Sequence, residues 1–474
     1  MAVQLDKTPA RNQSGRARSA VAEKPADPAR AWATYQPDAR RPWNLARAGH
    51  LYRRAAFGAD WSRLRQALSD GPQPTIDRLL RPQADMAAFN REQDEYESPS
   101  ASADALRPWW LRRIILTPHP LLEKITLFWH GHFAANGAKV KNARLMQQHV
   151  RLLRSHALGS FATLLKAVAR DPAVLIYLDA RANRKALPNE SFARPLMETF
   201  TLGPGHCTEK DIREAARAFT GWFVLRGRLR YIPREHDGNI KQILGQKGKF
   251  TGDDVLRIVL EQPATAKMLV RKLYRWLICE TAEPDEELIA PLVESFAKDH
   301  DVMKLVETML RSNLFFSQAA YRRRTKCPVE FALGIIKPLE GLVSTTQLAE
   351  DLAGIGRNLY NPPTVKGWTG GRRWINSATL VGRHNLALAL LRGSGPYADK
   401  LNPWTVAGRH GHSTPESAAR FLLDLFLQND LEPDVRDSLL ETLQTPDNAG
   451  GAGPAEKIRR FAHAVVTLPE FHLA

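Results

Sequence analysis

The chain has 474 residues, 43% hydrophobic and 25% charged, which supplies a sizeable core and excludes a wholly disordered, collagen-like or low-complexity protein. Three cysteines, Cys207, Cys279 and Cys327, exclude a disulfide scaffold, and with no Cys-x-x-Cys pair there is no cysteine zinc or thioredoxin-like motif. The formal charge of +17 invites a polyanionic partner, yet arginine outnumbers lysine more than two to one and the basic residues are scattered outside Arg322-Arg323-Arg324, which fits a coding preference equally well.

Residues 1–42 are rich in Ala, Arg, Pro and Ser without apolar periodicity and are expected to form a disordered basic tail. Residues 1–30 hold no apolar signal region, and the twin arginine Arg40-Arg41 runs into Pro42-Trp43-Asn44. No stretch reaches the roughly 18 apolar residues of a membrane span. As written the chain is expected to be cytoplasmic, and exported if its start site is misassigned.

From Leu45 the pattern is helical, with short helices over 60–69 and 74–81 and an exposed polar loop over 91–105. Helices follow over 106–116 and from Pro120 to about 133, where a proline at the first helical position sets the start. Asn142 caps the next, and Phe161, Leu164, Leu165 and Val168 form an amphipathic stripe. A helix from Asp171-Pro172 ends near Asp179; another, capped by Asn189, spans 190–200 and stops at Gly203-Pro204-Gly205. Thr208 and Asp211 resemble a capping box opening a helix to Phe219. Residues 222–234 alternate about Arg226-Gly227 and predict a hairpin. Helices are expected over 254–261, 264–280, 286–300, 302–311, 328–339, 348–354 and 377–391, then over 415–428, 432–443 and from Pro454, with loops at 356–376 and 393–412. The fold class is mainly α: a multi-helical globular domain with at most a small β-hairpin. The domain reading is a tail over 1–42, a helical domain over 43–395 and a C-terminal helical extension over 396–474 packed on it.

Three polar groups stand out from the amphipathic pattern. In Trp129-His130-Gly131-His132-Phe133, histidines at i, i+2 on a helix point about 200° apart and cannot share a metal there, whereas on an extended segment they could. The second group is Asp179 with Asn189, Glu190, Arg194 and Glu198, the last three at i, i+4, i+8 on one helix face, followed by His206. Such a set either lines a cleft or forms a structural ion-pair network. The third is His236-Asp237, with Lys241, on a turn where acid–base chemistry is available. The following Gly245-Gln246-Lys247-Gly248 resembles a phosphate loop only loosely. Lys366, Trp368, Trp374 and Asn376 lie on an aromatic, polar loop, where the tryptophans either bind a ring or sugar face or pin the loop to the core. No Gly-x-Ser-x-Gly elbow, His-Glu-x-x-His, EF-hand loop, kinase set or Rossmann fingerprint is present.

Leu127-Phe-Trp-His-Gly-His-Phe133, residues 171–179, Pro188-Asn-Glu-Ser-Phe-Ala-Arg194, residues 213–222, His236-Asp237, residues 361–368 and Trp374-Ile-Asn-Ser377 occur in an order that resembles the bacterial family named for domain of unknown function 1800, over roughly 45–395. The resemblance implies no activity. Members of that family are often exported and often encoded beside a second family, domain of unknown function 1501, that resembles sulfatases and alkaline phosphatases and is the partner it suggests. Here Pro195 stands where the family pattern usually has Glu, leaving Glu190 and Glu198 as the carboxylates to consider.

The expectation is a helical hydrolase- or transferase-type enzyme acting on an anionic or sugar-like substrate. Asp179, Glu190, Arg194, Glu198, His236 and Asp237 are its catalytic candidates; Asn189, His206, Lys241, Lys366, Trp368, Trp374 and Asn376 are its substrate-binding ones. The sequence assigns no cofactor and no metal. The rival expectation is a non-catalytic binding or assembly partner for an anionic polymer, a glycan or a neighbouring protein, with nucleic acid less favoured. Convergence of these segments in one pocket favours the enzyme; their engagement in local caps and salt bridges favours the rival.

Overall fold

The computed structural model describes residues 27–96, 102–443 and 453–474. Helices dominate, and the β-structure described is two antiparallel hairpins. The central element is the Pro120–His132 helix. Its apolar residues run around most of its circumference, so it is surrounded by other helices and even Glu123 and Lys124 are buried. The Leu45–Ala55, Leu106–Leu116 and Ala143–Ser155 helices lie in the same core, with Phe161–Ala169, Pro263–Leu277 and Pro328–Ile336. Leu127, Phe128, Trp129, Leu164, Leu165, Val168, Leu175, Ile176, Leu196, Phe200 and Phe219 all belong to this one core, as their spacing predicts.

The caps follow the sequence closely. Asn142 Oδ1 accepts from Leu145 N at 3.0 Å, and Thr208 and Asp211 form the reciprocal capping box. Other expectations need correction. Most of the expected 1–42 tail lies outside the described residues, but its last part is ordered: Tyr35 is fully buried and its N–H donates to Arg311 O, while Trp32 Nε1 donates to Leu288 O. Two anchoring aromatics in a polar setting carry no periodicity to read. The expected loop over 91–105 receives the end of a Met86–Glu95 helix, capped by Asp85. Within the expected 393–412 loop lies the Pro403–Arg409 helix, begun by Asn402 and a first-turn proline.

The expected hairpin is present, with Trp222–Leu225 paired to Arg228–Tyr231 in the register Trp222↔Tyr231. The glycine-rich segment after it is a second hairpin, Lys241–Ile243 with Gln246–Gly248, and not a phosphate loop. The expected 190–200 helix divides. It is α over Glu190–Pro195 and π over Leu196–Thr201, because Pro195 has no N–H to continue the α ladder. The C-terminal segment is tied to the core: Lys326 N donates to His472 O at 2.8 Å and Ala474 N to Arg324 O at 2.7 Å.

Candidate functional site

The Glu209–Ala218 helix organises two of the three expected groups. At its start, Glu209 receives both terminal nitrogens of Arg194 at 2.7 Å, and Arg194 also bonds Glu190 at 2.8 Å. Glu198 stands 3.9 Å away. Asn189 serves the backbone: Oδ1 accepts from Ser191 N at 2.8 Å and Nδ2 donates to Asp179 O at 2.8 Å. Asp179 pairs with Lys139 in solvent, and His206 Nδ1 bonds its own turn at Pro204 O. The Arg194 side chain is 37% exposed and Glu190 36%, so this is a surface ion-pair network. The hydrogen bonds it donates to Glu209 hold the Arg194 guanidinium above its usual range.

Near the end of the same helix, Arg217 bonds Asp237 through Nε at 2.7 Å and Glu214 through Nη1 at 2.8 Å. The Arg217 bond holds the Asp237 carboxyl down to about 2. His236 Nδ1 faces Thr220 O at 2.9 Å, and Asp237 N donates to Thr220 Oγ1 at 2.8 Å. Lys241 is buried with its amine on the carbonyl oxygens of Asp237 and Asn239, and burial lowers its pKa. These groups build a turn held by its own hydrogen bonds and ion pairs. Positions 209 and 217 are eight residues apart, or about 12 Å along a helix, so the two groups sit at opposite ends of one element rather than in one pocket.

The aromatic loop lies elsewhere. Arg357 lies 4.0 Å from the Trp368 ring centre and 5.7 Å from that of Trp374, so the tryptophans clamp a buried guanidinium. Gly367 presses the loop onto the core at positive φ, where a Cβ would meet Gly131 O at 2.0 Å. Asn376 caps the next helix, and Lys366 is exposed on the loop. Of the two readings of this loop, the contacts shown are those of a pinned segment.

Several buried polar centres escape sequence reasoning. Glu123 joins Arg113 at 2.8 Å, Arg154 at 2.7 Å and Trp110 Nε1 at 2.9 Å. Glu330 takes Lys124 and Arg324. His149 Nδ1 is 2.6 Å from Asp171, and His149 Nε2 is 3.1 Å from Phe133 O. One signal existed for this pair, since His149 falls on the apolar stripe of Leu145, Met146, Val150 and Leu153. His130 and His132 are both helical and, as the helix angle requires, face different neighbours. His130 Nε2 accepts from Tyr360 N at 3.1 Å. His132 Nδ1 is 2.9 Å from Lys272 Nζ and its Nε2 3.1 Å from Phe200 O. Lys272 also donates to Thr199 O at 3.2 Å. The π turn thus aims two carbonyls at His132 and Lys272, and burial lowers the Lys272 amine to about 8. Among the described residues no group of three or more His, Cys, Asp or Glu side chains is placed to hold a metal ion.

Scattered basic residues converge on the first hairpin. Arg226, Arg228 and Arg230 are exposed on it, and exposed Arg181 and Lys185 lie on the segment that bonds its first strand and the turn after it. The tip rests on the Ala143–Ser155 helix, since a Cβ at Gly227 would stand 3.6 Å from Leu145, which brings exposed Lys141 and Arg144 close. None of these seven cations has an ion-pair partner among the described residues. The nearby carboxylates Asp179 and Glu235 are engaged by Lys139 and Arg184. Leu225 and Tyr231, each about half exposed, and Leu187, 80% exposed, add apolar surface.

A family model, "Protein of unknown function (DUF1800)", matches residues 50–473. The chain therefore belongs to that family, and the match extends through the C-terminal segment beyond the 45–395 range of the resembling motifs. No curated protein and no solved structure matches it. Among the described residues no helix is long and apolar enough to cross a membrane.

Proposed function

We propose that this protein is a non-catalytic binding or assembly factor that docks a partner protein through the basic hairpin face. One observation carries the reading: Asp179, Glu190, Arg194 and Asp237 are engaged in salt bridges and His236 Nδ1 lies on a backbone carbonyl, whereas seven cations around the Trp222–Tyr231 hairpin have no ion-pair partner among the described residues. Unpaired surface cations attract an acidic partner and accelerate encounter. Arginine and tyrosine beside exposed leucine are the residue types that carry protein interfaces. A purely electrostatic polyanion tracker has no use for Leu187, Leu225 and Tyr231.

The partner that the family resemblance offers is a protein of the domain of unknown function 1501 family. Titration of such a protein onto the full chain should show saturable binding that weakens with salt. The Arg226→Glu/Arg228→Glu/Arg230→Glu variant should bind at least tenfold more weakly with an unchanged melting temperature. Equal binding by the variant would overturn the reading. Hydrolysis of phosphate, sulfate or glycosyl esters that disappears in both Glu190→Gln and His236→Ala variants of normal stability would restore the enzyme.

A further inference from the structure

A small cavity lies between the Leu45–Ala55 helix, the Pro328–Ile336 helix and the C-terminal Phe471, leaving about 20 Å³ for the centre of a water-sized sphere. That is room for one such sphere, which needs about 10–15 Å³. Two cations line it, Arg53 at 8% exposure and Lys326 at 3%. Arg53 reaches Gln428 Oε1 through Nη1, while its Nε and Nη2 have no partner. Lys326 has no oxygen partner; its Nζ sits 3.7 Å from the centre of the Phe471 ring. The carboxylate in the wall is saturated: Glu330 Oε1 takes Lys124 and Arg324, and Oε2 accepts Cys327 N at 2.8 Å. Lys326 therefore shares Glu330 with two cations that already pair with it, while Arg53 has the Tyr321 phenol and Asp430 nearby. Buried charge without compensation costs several kcal/mol, and a guanidinium does not escape that cost by losing its proton.

We propose that this cavity binds one monovalent anion of halide size between the Arg53 guanidinium and the Lys326 ammonium. A single-atom anion matches a space that holds one water-sized sphere. The remaining walls include Phe57, Leu64, Pro338 and Phe426, which suit a weakly hydrated ion. Gly334 keeps the space open, since a Cβ there would stand 3.4 Å from Lys326 Nζ and 3.4 Å from the Phe471 ring. Burial, and next Arg53, hold the Lys326 amine well below the ordinary lysine value, and a bound anion opposes both effects.

The test is thermal unfolding of the full chain in sodium bromide against sodium gluconate at equal ionic strength. Bromide should raise the wild-type melting temperature by several degrees along a saturating curve, as ligand binding to the native state requires. Lys326→Met, which keeps the packing on Phe471, should lose that rise. Gly334→Ala should shift the bromide midpoint upward several-fold. Identical wild-type curves in the two salts, or an undiminished rise in Lys326→Met, would overturn the proposal. Should Lys326→Met fail to fold, anomalous scattering from wild-type crystals grown in bromide decides. A peak in this cavity supports the ion and an empty cavity rejects it.

Discussion

Two regions use the same residue types for opposite ends. Around Arg194 and Arg217, glutamates, aspartates and arginines pair on the surface or at its edge, where water already solvates both partners. Around Glu123 and Glu330 the same chemistry is enclosed, each carboxylate serving two cations with almost no solvent. The motif-rich region, which in sequence suggests acid–base chemistry, carries its charges in ion pairs at or near the surface. The region with real electrostatic constraint lies on helices that read as plain core. Acidic and basic residues at helical spacing thus do not identify a cleft; burial distinguishes the two cases, and it depends on what packs opposite.

The largest expected effect is in the enclosed region. Glu330→Gln removes the carboxylate that buried Lys124 and Arg324 pair with, and Glu123→Gln does the same to Arg113 and Arg154. Each should cost about 3–5 kcal/mol, the range for breaking a buried pair from one side. Urea unfolding measures it, and a loss under about 1 kcal/mol in both would erase the contrast with the surface pairs. Phe200→Ala tests the core the two regions share. It is almost fully buried under His132 and Phe133, and its truncation should cost about 3–5 kcal/mol.

Acid should separate the regions next. Burial pushes the Glu330 carboxyl up, but Arg324 and Lys124 outweigh it and the net shift is downward. Asp237 is held at about 2 by Arg217, against an ordinary 3.8. For both groups the folded value lies below the unfolded one. Their stabilisation is therefore full above the ordinary carboxylate range and is lost as pH falls through the folded value. Unfolding midpoints measured from pH 5 down to pH 2 should fall continuously for the wild type, and Asp237→Asn should flatten the Asp237 part between about 4 and 2.

Much of the fold was legible because periodicity and caps are local. Asn142, Asn189 and Thr208 mark helix starts that the structure keeps, and Arg226-Gly227 marks the hairpin turn. The misses have physical causes. Trp32 and Tyr35 anchor a segment with no repeat to detect. Pro195 changes the helix type without ending it. Lys272 meets His132 across 140 positions, a pairing no spacing encodes. The hairpin cations come from separate segments that look scattered along the chain.

The smallest effect belongs to Glu198, one of the two carboxylates that the sequence leaves to consider beside Pro195. Glu198 lies on the π turn 3.9 Å from Arg194, beyond hydrogen-bond reach, while Arg194 is already satisfied by Glu209 and Glu190. Its side chain is 35% exposed, so water solvates the carboxylate wherever Arg194 points. A pair of this kind contributes about 0–1 kcal/mol and is screened by salt. Glu198→Gln keeps the shape and removes only the charge. Its melting temperature should lie within a degree or two of the wild type, and the difference should vanish at high salt. A larger loss that persists in salt would show that the π turn depends on this carboxylate. The Arg194 network would then belong with the buried centres, and the distinction between the two regions would fail where the sequence first suggested a site.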